Sequence, residues 1–175
     1  MTGVQTCALP IWIALPASQA LGLAVERIRA ARAAIDAAGS AFVLTARTDA
    51  LLLSSGDGLK AALRRAGLYR EAGADCVYAP GASDLEAIRA LVQETGAPVN
   101  VVLGLTGGAL DVPTLLQAGV ARISLGGSIA RAALGFVRRT MAELRDRGSI
   151  GFAAGQIPQG ELNVLFARAR EQSNG

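Results

Sequence analysis

Arg47 follows directly on the apolar run FVLTA, and a guanidinium placed there offers two parallel hydrogen bonds to a carboxylate or a phosphonate. It could equally serve as one half of an ion pair with the neighbouring Asp49. Asn100 sits inside PVNVV, where a buried amide must find partners: a ligand, or simply backbone groups. Two glycine-rich segments, Gly104–Gly108 (GLTGG) and Gly126–Ser128 (GGS), follow apolar runs. In many barrels that is where a phosphate binds, although glycines there also serve as plain turns. Asp49, Asp75 and Asp84 read as loop and cap residues. With no histidine in the chain, neither a Ser-His-Asp arrangement nor a Cys/His zinc site can be written, and no paired carboxylates stand out.

These residues need strand ends to hold them, and the chain supplies a regular series of elements. Val25, Ile28 and Ile35 recur at helical spacing in an alanine-rich stretch that stops at Gly39. AFVLTART is a strand, Asp57–Ala72 a helix, Cys76–Ala79 a strand, and Ser83–Thr95 a helix with Ser83 as N-cap and Glu86 three residues on. Pro98–Leu103 is a third strand. Asp111–Ala118 is a helix with Pro113 in its first turn, Ala121–Leu125 a fourth strand, and Ser128–Arg147 a closing helix. Gly73, Gly96 and Gly119 end helices 23 residues apart both times, the mark of repeated βα units. Strands that read as continuous apolar runs are expected in a parallel sheet covered on both faces. Periodicity leaves open whether that sheet belongs to half of a closed (β/α)8 barrel or to an open doubly wound sheet.

Composition sets the limits. The 175 residues make one domain, well short of the roughly 250 of a complete barrel. Apolar residues reach 51 % and charged residues only 18 %, which excludes a disordered chain or a coiled coil. The net charge is +3, and the arginines are spread from Arg27 to Arg170 with Lys60 the single lysine, so no basic footprint for nucleic acid is present. No run approaches the roughly 18 apolar residues of a membrane span. Cys7 and Cys76 do not form a disulfide framework, and a reducing, cytoplasmic setting is expected. Met1–Ile11, MTGVQTCALPI, reads as the in-frame translation of a common short-read sequencing adapter, whose last base opens the Trp12 codon. On that reading the natural N-terminus is absent, and residues 1–11 were never selected to do anything and are left out of fold reasoning. The expected organisation is then 1–11 artefact, 12–158 partial barrel, and 159–175 C-terminal helix and tail.

Four blocks in order, FVLTARTDALL, YREAGADCVYAPG, PVNVV and GVARISLGGSIARAAL, resemble the isocitrate lyase / phosphoenolpyruvate mutase superfamily. The resemblance runs from about Ala24 to Phe166 and implies an α/β fold, the C-terminal half (about four βα units) of a (β/α)8 TIM barrel. It implies an enzyme that cleaves or forms C–C or P–C bonds next to a 2-oxo acid carboxylate, with Mg2+ stabilising an enolate-like intermediate. By the same resemblance Arg47 is the catalytic and substrate-binding arginine, Arg131 in SIARAA is a second substrate-contacting arginine, and Asn100 lies near the family's substrate residues on strand seven. YAPG carries Pro80 where the lyase branch has a glutamate, which points away from isocitrate-type cleavage. The family's Mg2+-binding acids and its catalytic Lys/Arg-Cys-Gly-His loop belong to the half that precedes this one. No metal ligands are therefore expected here, and the chain is expected to be an inactive fragment of an active, homo-oligomeric parent. Gln159–Arg170 would be the helix that packs on a neighbouring subunit or on its own barrel. Two alternatives stand beside this reading: a non-catalytic half-barrel that self-associates, and an unrelated phosphate-binding barrel enzyme.

Overall fold

The computed structural model describes residues 11–15, 21–53, 56–105 and 110–173, with side chains placed from 21 onwards and up to 171. Five parallel strands form one sheet: β1 Ile11–Leu15, β2 Leu44–Thr48, β3 Cys76–Tyr78, β4 Val99–Val102 and β5 Arg122–Ser124. Their order in the sheet is their order in the chain, β1-β2-β3-β4-β5, and every neighbouring pair is parallel. A doubly wound sheet reverses direction at a switch point, whereas a barrel adds each strand beside the last. Sequential order is the barrel pattern. β1 was not expected from the sequence; it pairs along its whole length with β2, from Ile11 opposite Leu44 to Leu15 opposite Thr48.

The helices between strands are α1 Leu21–Ala37, the short α2 Ala50–Leu53, α3 Gly58–Glu71, α4 Leu85–Thr95 and α5 Val112–Gln117. Three of them are followed by glycines with positive φ, Gly73 (102°), Gly96 (55°) and Gly119 (86°), so the 23-residue spacing marks the same chain reversal in successive units. The N-cap of α4 is Asp84, not Ser83: its Oδ1 accepts from Ala87 N at 2.8 Å, one residue closer to the first helical turn than a serine at 83 would stand. Asp111 caps α5 as expected, accepting from Thr114 N at 2.9 Å. Asp75 Oδ2 accepts from Leu44 N at 2.7 Å and from Arg32 at 2.9 Å, tying the turn before β3 to the start of β2 and to α1.

One face of the sheet is packed. Val77, Val99 and Val101 lie in a cluster with Ala62, Ala66, Ile88, Leu91 and Leu115 from α3, α4 and α5. Leu44 and Ala46 join Ala24, Ile28, Ile35 and Tyr69 in a second cluster. The other face is buried as well, at Thr45, Cys76, Tyr78 and Asn100, so these strands are covered on both faces as expected, but the second face mixes polar side chains with apolar ones.

The chain divides into two compact units, 1–128 and 129–175. The second contains nearly all of α6 Ser128–Arg147, a 3-10 turn at Gly151–Gly155 and α7 Gln159–Ser173. Within it Glu143 accepts from Ser149 Oγ and from Gly151 N, both at 2.7 Å, which fixes the turn after α6 and holds the Glu143 carboxyl below its ordinary range. Among the described residues no helix is long and apolar enough to cross a membrane.

Candidate functional site

Side chains alternate along a strand, and in-register partners of a parallel sheet share a face. Since Leu44, Ala46, Val77, Val99, Val101 and Ile123 face the helices, the opposite face carries Thr45, Arg47, Cys76, Tyr78, Asn100, Arg122 and Ser124. The register places Arg47, Tyr78, Asn100 and Arg122 in one row across β2 to β5. In a closed barrel this face lines the interior, and its C-terminal rim is where ligands bind.

Arg47 is at that rim, one residue before the end of β2. Its Nε donates to Asp49 Oδ1 at 2.7 Å, and its guanidinium lies 5.6 Å from the centre of the Tyr78 ring. The ion pair with Asp49 is therefore real, but it occupies only Nε. The two Nη nitrogens make no hydrogen bond to the described residues, which leaves their edge for an anion. Burial pushes the Tyr78 hydroxyl upward in pKa, and the nearby Arg47 charge partly offsets this.

Asn100 is 1 % exposed. Its Nδ2 donates to Ser124 Oγ at 3.1 Å, and Ser124 Oγ in turn donates to Val101 O at 3.4 Å. That chain of donors fixes the amide orientation, and Asn100 Oδ1 is left buried without a partner among the described residues. A buried acceptor of this kind calls for a donor from a ligand or a water. Roughly 10 Å, two strand spacings, separate the Cα atoms of Arg47 and Asn100. Deeper on the same face, burial raises the pKa of the Cys76 thiol, against opposing effects from Thr45 and Arg122.

The structure thus brings Arg47 and Asn100 onto one face. Arg131 belongs to the other unit, where it is exposed on α6. Of the glycine-rich segments, 106–109 lies outside the described residues, as does Cys7. Ser128 Oγ donates to Leu103 O at 3.1 Å and would be met at 2.6 Å by a Cβ on Gly104, whose φ is +78°. That hydroxyl serves the loop connection. Tyr78, Ser124, Arg122 and Thr45 were missed from the sequence. The signal for them was the period-two alternation in LTART, CVY, VNVV and RIS, hidden because the strands are only three to five residues long.

The sequentially ordered parallel sheet is the barrel pattern, and its face away from the helices carries Arg47, Asn100 and Arg122 in one row. Residues 16–145 match the family model for phosphoenolpyruvate phosphomutase, and the chain belongs to the phosphoenolpyruvate mutase / isocitrate lyase superfamily. A search of curated proteins found no match. Among solved structures, a protein described as a lyase/mutase from Burkholderia cenocepacia J2315 is 40 % identical, with a TM-score of 0.86 over 91 % of this chain and 59 % of that one. A protein described as a phosphonomutase from the same organism is 32 % identical, with a TM-score of 0.66 over 76 % of this chain and 59 % of its own. Oxaloacetate acetylhydrolase in complex with its product oxalate is 26 % identical, with a TM-score of 0.74 over 94 % and 60 %. The chain spans about three fifths of each of these structures. Membership sets aside the unrelated phosphate-binding barrel.

The superfamily resemblance implies Mg2+, which takes oxygen donors, chiefly carboxylates and water, in octahedral geometry. Among the described residues no three His, Cys, Asp or Glu lie together to hold a metal ion. Asp49, the carboxylate beside the site, is engaged by Arg47. These residues do not fit a Mg2+ site.

Proposed function

We propose that the whole protein is a Mg2+-dependent lyase or mutase that makes or breaks a C–C or P–C bond next to the carboxylate of a small 2-oxo acid or phosphonate. The observation that carries this reading is Arg47, held through Nε with its Nη edge open on the same sheet face as the unpartnered Asn100 Oδ1. Arg47 grips the substrate carboxylate or phosphonate by two parallel hydrogen bonds. Asn100 Oδ1 receives a hydrogen bond from a donor on the substrate or from a bound water. The Mg2+ ligands come from the part of the barrel that this chain does not span, so the chain itself binds substrate without turning it over. The parent works in the cytoplasm as a homo-oligomer. Support for the assembly comes from α6, which exposes Leu134, Val137, Met141 and Leu144 at helical spacing.

The test is a turnover assay on the purified chain with Mg2+. Phosphonopyruvate is followed by 31P NMR, and a panel of 2-hydroxy diacids by coupled detection of the 2-oxo acid released. No conversion is expected. Conversion at a rate that survives repurification would overturn the assignment of the metal site to the remainder of the barrel.

A further inference from the structure

The Arg47–Asp49 pair can be read in two ways: as charge neutralisation that removes Arg47 from ligand binding, or as a clamp that aims it. The geometry favours the clamp. A guanidinium is planar, with one N–H on Nε and two on each Nη. Asp49 Oδ1 takes the Nε proton at 2.7 Å, and the guanidinium carbon lies over the Tyr78 ring, 5.6 Å from its centre. One contact holds Nε and the other holds the guanidinium carbon over the ring, and the edge neither uses is the Nη pair that matches a carboxylate.

Both holding groups are themselves anchored by backbone. Tyr78 is the register partner of Arg47 on β3 and is only 8 % exposed. Asp49 stands at the start of α2, where its carbonyl accepts from Leu52 N at 3.0 Å and from Leu53 N at 3.2 Å. An arginine side chain left to itself loses substantial rotamer freedom when it binds, and a side chain already held loses less.

We propose that Asp49 and Tyr78 are positioning residues that hold the Arg47 guanidinium with its Nη edge turned to the anion. This rests on the reading of Arg47 as the anion-gripping group, and the experiment separates the two. The 15N-labelled chain is compared with Asp49→Asn, Tyr78→Leu and Tyr78→Phe. The Arg47 Nε–H signal, assigned by its loss in Arg47→Lys, is recorded without ligand, and oxalate is then titrated. In the free chain the signal is expected to be sharp and slow to exchange, to broaden or vanish in Asp49→Asn, and to move downfield in Tyr78→Leu as the ring current is lost. Tyr78→Phe keeps the ring and restores the original position.

Oxalate affinity supplies a readout whose sign separates the two readings. Removing the Asp49 charge should by electrostatics alone strengthen anion binding. Loss of positioning instead weakens it, by about tenfold in Asp49→Asn and a few-fold in Tyr78→Leu. An Nε–H signal unchanged in both variants, or tighter oxalate binding by Asp49→Asn, would overturn the proposal. If no form of the chain binds oxalate, it is the anion-gripping role of Arg47 that fails, and the Nε–H signals still decide whether Asp49 and Tyr78 hold it.

Discussion

At Arg47, charge alone does not account for the site, because a lysine would keep the charge and lose the planar two-pronged edge. Arg47→Lys is predicted to weaken oxalate binding at least about tenfold, measured by titration, with the amide spectrum of the folded chain unchanged. Cys76 and Tyr78 give a pH prediction. Burial raises both above their ordinary values of 9.0 and 10.0, so each favours the fold in its protonated form. Their contribution is full below those values and is lost as pH rises through the higher values of the folded state. Urea midpoints are therefore expected to fall between pH 8 and the alkaline range, as about 9 is passed, and the slope should flatten in Cys76→Ala. Arg47 and Asn100 were legible in the sequence because a polar residue interrupting an apolar run is conspicuous. Their holders were not: Tyr78 and Ser124 look like ordinary strand residues until the register places them beside Arg47 and Asn100.

Among the elements, the α4 unit shows most clearly what can be read in advance. Its glycine stop, apolar stripe and position between strands all follow from spacing, and Ile88 and Leu91 are buried as the stripe requires. Its first residue was misplaced by the competition between two adjacent capping residues, which the backbone settles in favour of Asp84. Asp84→Ala is predicted to cost about 1 kcal/mol of stability, and Ser83→Ala much less. Leu91→Ala, which empties the space between α4 and the sheet, is predicted to cost about 2–5 kcal/mol. Urea denaturation of the three variants checks both. β1 was illegible for a different reason: IWIAL begins at Ile11, the last residue read as adapter sequence, and its strand character shows only in its pairing with β2.

For the whole molecule, sequential strand order and family membership agree on a barrel, of which this chain spans about three fifths of the length found in its relatives. The sheet ends among the described residues at β1 and β5, and an open strand edge invites pairing. Sedimentation is expected to show concentration-dependent self-association, reduced by replacing Met141 and Leu144 on α6 with lysine. Among the described residues no three His, Cys, Asp or Glu lie together to hold a metal ion. The proposed anion grip is Arg47, and its test is calorimetric titration of the chain and of Arg47→Gln with oxalate, each with and without Mg2+. The prediction is weak binding by the wild-type chain, indifferent to Mg2+ and lost in Arg47→Gln. Binding that requires Mg2+, or that persists undiminished in Arg47→Gln, would contradict it.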